Sequence, residues 1–240
     1  MPFNAQHIAV LDRIVGALDR DDSGDFTLAT EGWAGSACRA WAKDVSGTEQ
    51  LSLPIERMNR RQVRELVQSD DLSDDGAHLA IMAWGGQRRD HGRAVWASFE
   101  RLLPTLSALR AGALGCQAAY AQLHELTTCE DRVKCLGPAY YTKLLFFLPP
   151  REQGVIMDQW TAKSMQMLFD RGEQTPIVKL SRAGFVERSN SAQVYDQFCI
   201  FVGELAQRYQ VSDGNAEELI FSGSGQPWRN HVRAHWSYNA

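Results

Sequence analysis

The sequence has no long hydrophobic run. Its strongest apolar stretch, Leu144 to Pro150, is far shorter than the roughly 20 residues that cross a bilayer as a helix. It has no Cys-x-x-Cys pair either. Its five cysteines, Cys38, Cys116, Cys129, Cys135 and Cys199, are odd in number and scattered, which argues against a disulfide framework and fits a reducing cytoplasm. No basic-then-apolar leader is read at the start, where Met1 to Asn4 gives way to a charged amphipathic stretch, so secretion is not expected. Internal repeats, low-complexity tracts and the Gly-x-Ser-x-Gly, Walker and Gly-x-Gly-x-x-Gly motifs are missing as well, and strand-like alternation is nearly absent. Excess positive charge is also lacking, since 25 Lys and Arg face 29 Asp and Glu. That balance argues against wholesale coating of nucleic acid, but a DNA site needs only a local positive patch.

What is present is an ordinary globular composition, 44% hydrophobic and 22% charged over 240 residues, long enough to bury a large core without metals or disulfides. Apolar residues recur at helical spacing in Ile8, Leu11, Val15 and Leu18, in Leu102, Leu106 and Leu109, and in Val194, Phe198, Phe201 and Leu205. The pattern predicts an all-α protein with helices at roughly 4–19, 31–44, 54–68, 76–86, 91–103, 105–125, 138–148, 159–171, 191–210 and 214–222. Only Thr175 to Leu180 reads as extended.

Charge is unevenly placed. Acids cluster at Asp19–Asp25 and Asp70–Asp75, whereas 132–163 carries Arg132, Lys134, Lys143, Arg151 and Lys163 against only Glu152 and Asp158. The end of the chain adds Arg229, His231, Arg233 and His235 with no acid from Gln226 to Trp236. Such clusters are either solvated faces or a surface directed at an anion.

The most informative stretch is Gly137 to Pro150, GPAYYTKLLFFLPP, in which Lys143 is the one charged residue of a helix otherwise built from Tyr, Leu and Phe. Gly137-Pro138 suits its first turn, and Pro149-Pro150 cannot continue the hydrogen-bond ladder. Burial disfavours the ammonium form, and a lysine neutral part of the time is what attack on a sugar carbon or Schiff-base chemistry requires. Downstream, Asp158 follows Val155-Ile156-Met157 and is the natural N-cap of the next helix. The plainer alternative is that Asp158 only caps and Lys143 only snorkels to solvent.

A small-residue turn, a lysine early in the following helix, and an aspartate opening the next one together resemble the helix-hairpin-helix DNA glycosylases, in particular the lysine-bearing 8-oxoguanine DNA glycosylase/AP lyase branch. The family hairpin runs approximately L-P-G-V-G-T-K, with the aspartate in a V-D-x-x-x-W element. The matching residues are Pro138-Ala139-Tyr140-Tyr141-Thr142-Lys143 and Ile156-Met157-Asp158-Gln159-Trp160. The two family glycines fall on Ala139 and Tyr141, and the gap from Lys143 to Asp158 is shorter than usual. The iron-sulfur cysteine set of the endonuclease III branch is missing, so that cofactor is not expected.

The resemblance implies a single helix-hairpin-helix glycosylase-like domain over 1–240, with the hairpin and catalytic segment at about 128–165. It implies two packed helical lobes with the active site in the cleft between them. Lys143 would be the nucleophile and Asp158 the stabiliser of a cationic sugar, acting on a base flipped out of duplex DNA. Backbone amides at Gly137, Ala139 and Tyr141, with Thr142, Arg132 and Lys134, are the expected phosphate contacts. Gln87, Arg88 and Arg89, after the Gly85-Gly86 break, are the expected DNA-facing loop, and capping of that helix end is the competing explanation. Phe147, Trp84 and Trp228 are the candidate base-pocket residues, with core packing as the alternative for Phe147.

Asp19 to Asp25 resembles the start of a calcium loop, but position twelve is Thr30 and Glu31 falls one place late. The six His and scattered Cys are not read as a zinc set, so no metal is expected. The expected protein is therefore a cofactor-free, monomeric enzyme, cytoplasmic and, in a bacterium, nucleoid-associated, whose partner is duplex DNA with a damaged or modified base. The alternatives are a non-catalytic helix-hairpin-helix DNA-binding protein, or a glycosylase for another modified base such as one in foreign DNA.

Overall fold

The structure is a computed structural model, and it describes residues 3–28, 35–151, 154–169, 178–222 and 226–238. Among these residues lie twelve α-helices and a 3-10 turn at Phe99–Arg101, with isolated β-bridges and no longer strand. The all-α expectation holds. No described helix is long and apolar enough to cross a membrane. The chain divides into two compact units, one from Met1–Thr30 with Val155–Ala240 and one from Glu31–Gly154.

The first unit contains α1 (Ala5–Val15), α9 (Gln159–Leu168), α10 (Ala192–Tyr209), α11 (Asp213–Phe221) and α12 (Pro227–His235). Helix α1 packs on α9 and α12, and α11 packs on α9, α10 and α12. The extended lead into α9 is buried, and the Tyr195 hydroxyl satisfies it from both sides: Val155 N donates to that oxygen at 3.1 Å, and the hydroxyl donates to Val155 O at 2.9 Å. The Asp19–Asp25 loop is latched to the same unit. Asp21 accepts from Ser23 and Asp25 amides, Asp25 accepts from Ser212 at the start of α11, and the Asn215 amide brackets Phe26. The loop's carboxylates thus bind backbone donors. Thr175 to Ile177 lie outside the described residues, and Leu180 pairs with Val186 in a single bridge.

The second unit contains α2 (Cys38–Ser46), α3 (Arg60–Val67), α4 (Asp74–Trp84), α5 (Arg89–Trp96), α6 (Leu103–Arg110), α7 (Cys116–Thr128) and α8 (Pro138–Phe147). Helix α4 is its centre and packs on α2, α3, α6 and α8. Every residue from Gly76 to Trp84 is buried, as expected of a helix that is apolar all round. Ser73 caps its start, and Asp74 and Asp75 complement its dipole. The periodicity predicts one helix at 105–125, but the structure has two. The break falls where Gly112 takes φ +69°, a left-handed turn that ends α6. At the other end of α4, Gly35 crosses so closely that a Cβ there would lie 2.3 Å from the Trp84 carbonyl oxygen.

The last element positions the site. Pro149 and Pro150 end α8 as the sequence indicates, leaving its final carbonyls without helical donors. Arg64 of α3 and Gln68, the C-cap of that helix, supply them: Arg64 donates to Phe146 O and Phe147 O, and Gln68 Nε2 donates to Phe147 O, Leu148 O and Pro149 O at 2.9, 3.1 and 3.2 Å.

One buried group sets a pH limit. His78 on α4 is 2% exposed, lies against the Phe99 ring, and burial pushes its pKa down from 6.5 to about 4. The folded state therefore holds a neutral imidazole, and the unfolded state binds the proton first as pH falls. The associated stability is present above 6.5 and lost as pH drops through about 4, by up to about 3 kcal/mol. Urea unfolding at pH 7 and pH 4 is expected to show a larger loss for wild type than for His78→Leu. Equal losses would show that His78 does not titrate this way.

Candidate active site

Helix α8 forms as its sequence dictates: Gly137 is the extended N-cap, Pro138 fills the first turn, and the helix is buried from Tyr141 to Phe147. Side chains on a helix tilt toward its N-terminus, and Lys143 follows that rule. Although only 7% exposed, it reaches back one turn, where Nζ donates to the Ala139 carbonyl and lies 5.4 Å from the Tyr140 ring centroid. The amine therefore lies level with the first turn of α8, a turn that opens with the amides of Gly137 and Ala139. These amides precede the helix's own hydrogen bonds and lie at its positive end.

Other residues singled out on this segment are placed differently. The Tyr141 amide donates to Gly137 O at 3.1 Å, and its buried ring lies edge-on to Tyr120 with centroids 5.0 Å apart. Thr142 is buried, with its hydroxyl donated to Pro138 O at 2.7 Å. Arg132 and Lys134, on the loop between α7 and α8, are exposed. At the end of α4, Gln87 is buried rather than presented to solvent; its Nε2 donates to Cys135 O, and its own carbonyl accepts from Trp41 Nε1 at 2.8 Å. Arg88 and Arg89 do reach the surface, where they pair with Asp90 and Asp44. Trp84 and Phe147 are brought together, with ring centroids 4.8 Å apart, but both are buried.

In the other unit, Asp158 opens α9 as expected. One carboxylate oxygen accepts from Trp160 N at 2.7 Å and Thr161 N at 3.1 Å, and the Thr161 hydroxyl accepts from Asp158 N at 2.9 Å, completing a capping box. Around it stands a group of cations that sequence spacing does not disclose. Arg229, Lys163 and Arg233 lie over the Trp160 ring at 3.9, 4.5 and 5.4 Å from its centroid. Lys163 also lies 4.6 Å from the Trp236 ring centroid. Arg229 is buried, and its guanidinium donates to Phe221 O. Burial pushes its pKa down to about 10, the Asp158 charge opposes the shift, and Arg233 adds to it. Lys163 is also lowered, by burial first, against the pull of Asp158.

Trp228 is buried, donates from Nε1 to Ser164 Oγ at 3.0 Å, and lines a cavity of about 710 Å³ that Gln226 also lines, together with Arg13, Glu218 and His231. His231 and His235, four residues apart on α12, are a pair the sequence reading passes over. They cluster with His7, whose Nδ1 is 3.1 Å from His231 Nε2. Among the described residues no group of three His, Cys, Asp or Glu is arranged to hold a metal ion.

The capping geometry separates two functions of Asp158. Both variants lose the charge, but Asp158→Asn keeps a capping acceptor, so Asp158→Ala is expected to be less stable than Asp158→Asn by about 0.5–2 kcal/mol. Urea midpoints of the two variants check this, and equal losses would show that charge rather than capping holds the helix start.

Comparison with known proteins gives one result. Residues 21–221 match the family described as "Putative 8-oxoguanine DNA glycosylase OGG-like protein". No curated protein matches, and no solved structure does. Since the match spans well over half of its length, the chain belongs to this OGG-like DNA glycosylase family.

Proposed function

We propose that this protein is a helix-hairpin-helix DNA glycosylase of the lysine-bearing branch, which removes 8-oxoguanine from duplex DNA and then cleaves the strand as an AP lyase. The observation that carries the reading is the place of Lys143: the one charged side chain of an apolar helix, buried, with its amine at the helix's first turn. Family membership supports the substrate class.

In this mechanism the damaged nucleotide is flipped out of the stack. The neutral amine of Lys143 attacks C1′, the glycosidic C–N bond breaks, and the base leaves with the electron pair and takes up a proton. The Asp158 carboxylate stabilises the positive charge that develops on the sugar. The sugar ring then opens to a Schiff base on Lys143. Loss of a C2′ proton expels the 3′-phosphate, and hydrolysis of the imine returns the free lysine. The first-turn amides Gly137 and Ala139, with the exposed Arg132 and Lys134, hold the phosphate backbone. Arg88 and Arg89 exchange their surface carboxylates for phosphates. Gln87 acts from within by fixing the Cys135 loop, and Trp84, Phe147 and Trp228 shape the surroundings of the base. Lys163, Arg229 and Arg233 add positive potential beside Asp158.

Lys163 gives a specific rival for the nucleophile, because it too is a buried lysine, and burial lowers its pKa against the pull of Asp158. Borohydride trapping on a duplex carrying one 8-oxoguanine tests the reading. Wild type is expected to form a covalent adduct on that duplex and not on an unmodified one, and Lys143→Gln is expected to form none while still binding DNA. Loss of the adduct in Lys163→Gln alone transfers the role to Lys163. Binding without an adduct on either the damaged or an abasic duplex favours a non-catalytic DNA-binding protein, and an adduct on the abasic duplex alone favours a different modified base.

A further inference from the structure

Gly85 follows α4 as its C-cap, with φ −64° and ψ −4°, a conformation open to any residue. Backbone freedom therefore does not call for glycine here, but space does. A Cβ on Gly85 would lie 2.8 Å from Lys143 Cδ and 3.2 Å from Lys143 Cε, and 3.2 Å from the Ile81 carbonyl oxygen. Carbon atoms in ordinary contact sit about 3.5–4.0 Å apart, so the bare α-carbon of Gly85 is the floor on which the lysine methylenes rest.

We infer that Gly85 is a positioning residue for Lys143, its missing side chain letting the methylenes lie against the end of α4 so that Nζ is held at the first turn of α8. This rests on the reading of Lys143 as the nucleophile. Two observations show that the lysine, rather than the backbone, must yield to a larger residue. The end of α4 is pinned: Ser36 N donates to Ala83 O at 3.0 Å, Trp41 Nε1 donates to Gln87 O at 2.8 Å, Gln87 Nε2 donates to Cys135 O, and the Trp84 ring meets Phe147. The nearest atom met by the added Cβ, in contrast, belongs to a flexible side chain. A methyl group at residue 85 therefore lifts Cδ and Cε and draws Nζ away from Ala139 O. A reacting atom displaced by about 1 Å loses on the order of 100-fold in rate.

The experiment compares Gly85→Ala with wild type and Lys143→Gln in three readouts. Melting and duplex affinity at fixed salt are expected to match wild type closely in Gly85→Ala, while the trapping rate on the 8-oxoguanine duplex falls about 100-fold and its pH profile shifts. Reductive methylation with formaldehyde and cyanoborohydride, followed by peptide mass, reads the amine directly: Lys143 is expected to change its labelling rate in Gly85→Ala while the other lysines keep theirs. Trapping at the wild-type rate with unchanged labelling overturns the inference. An unfolded Gly85→Ala also overturns it, because the clash would then fall on the backbone. An adduct that persists in Lys143→Gln overturns the nucleophile reading instead, and the labelling alone then decides whether Gly85 sets the place of the amine.

Discussion

Two helices with no polar face, α4 and α8, must bury themselves against each other, and the chemistry this molecule can perform depends on that packing. Helix α8 is so apolar that all residues from Tyr141 to Phe147 are buried, and α4 is buried from Gly76 to Trp84. In such surroundings one lysine has few places to put its charge. It folds back along its own helix to the Ala139 carbonyl. The helix-ending prolines would leave α8 with bare carbonyls in the interior, and Arg64 and Gln68 supply the missing donors. The lysine is thus held in a frame whose polar ends are satisfied.

Asp158 shows how one residue serves helix capping and local electrostatics together. One of its oxygens completes a capping box, and the same carboxylate is the anion that acts on buried Lys163 and Arg229. A cationic guanidinium held under an indole, with its pKa drawn down by burial, is costly unless a negative charge compensates it. Asp158 supplies part of that charge in the free protein. In the proposed complex, DNA phosphates would supply more, so the cluster would be relieved by the ligand it attracts. The Asp19–Asp25 loop plays a quieter part, held to α10 by Arg20, which donates to Tyr209 O, and to the start of α11 by Asp25, which accepts from Ser212 N.

Much of this was legible in the sequence where local rules govern. Gly137-Pro138 and Pro149-Pro150 mark α8 because proline's missing N–H and fixed φ act at the residue itself. Asp158 reads as a cap for the same reason. Helix breaks that depend on a single backbone sign were not legible, and periodicity ran across Gly112 as though α6 and α7 were one. Long-range placement was hidden too. Gln87 looks like a solvent-facing residue after two glycines, yet a carbonyl 48 positions away draws it inward. The convergence of Lys163, Arg229 and Arg233 on Trp160 joins α9 to α12 and leaves no spacing to read. Lys143 was visible as an anomaly, a charge in an apolar helix, but its neighbour across the packing, Gly85, was not.

The central claim is that the amine of Lys143 carries the covalent intermediate. The most direct test is to digest the borohydride-reduced complex formed on 8-oxoguanine DNA and find the modified lysine by peptide mass. The account predicts the sugar remnant on Lys143, in the peptide that spans α8. A remnant on Lys163, Lys134 or any other lysine would contradict it.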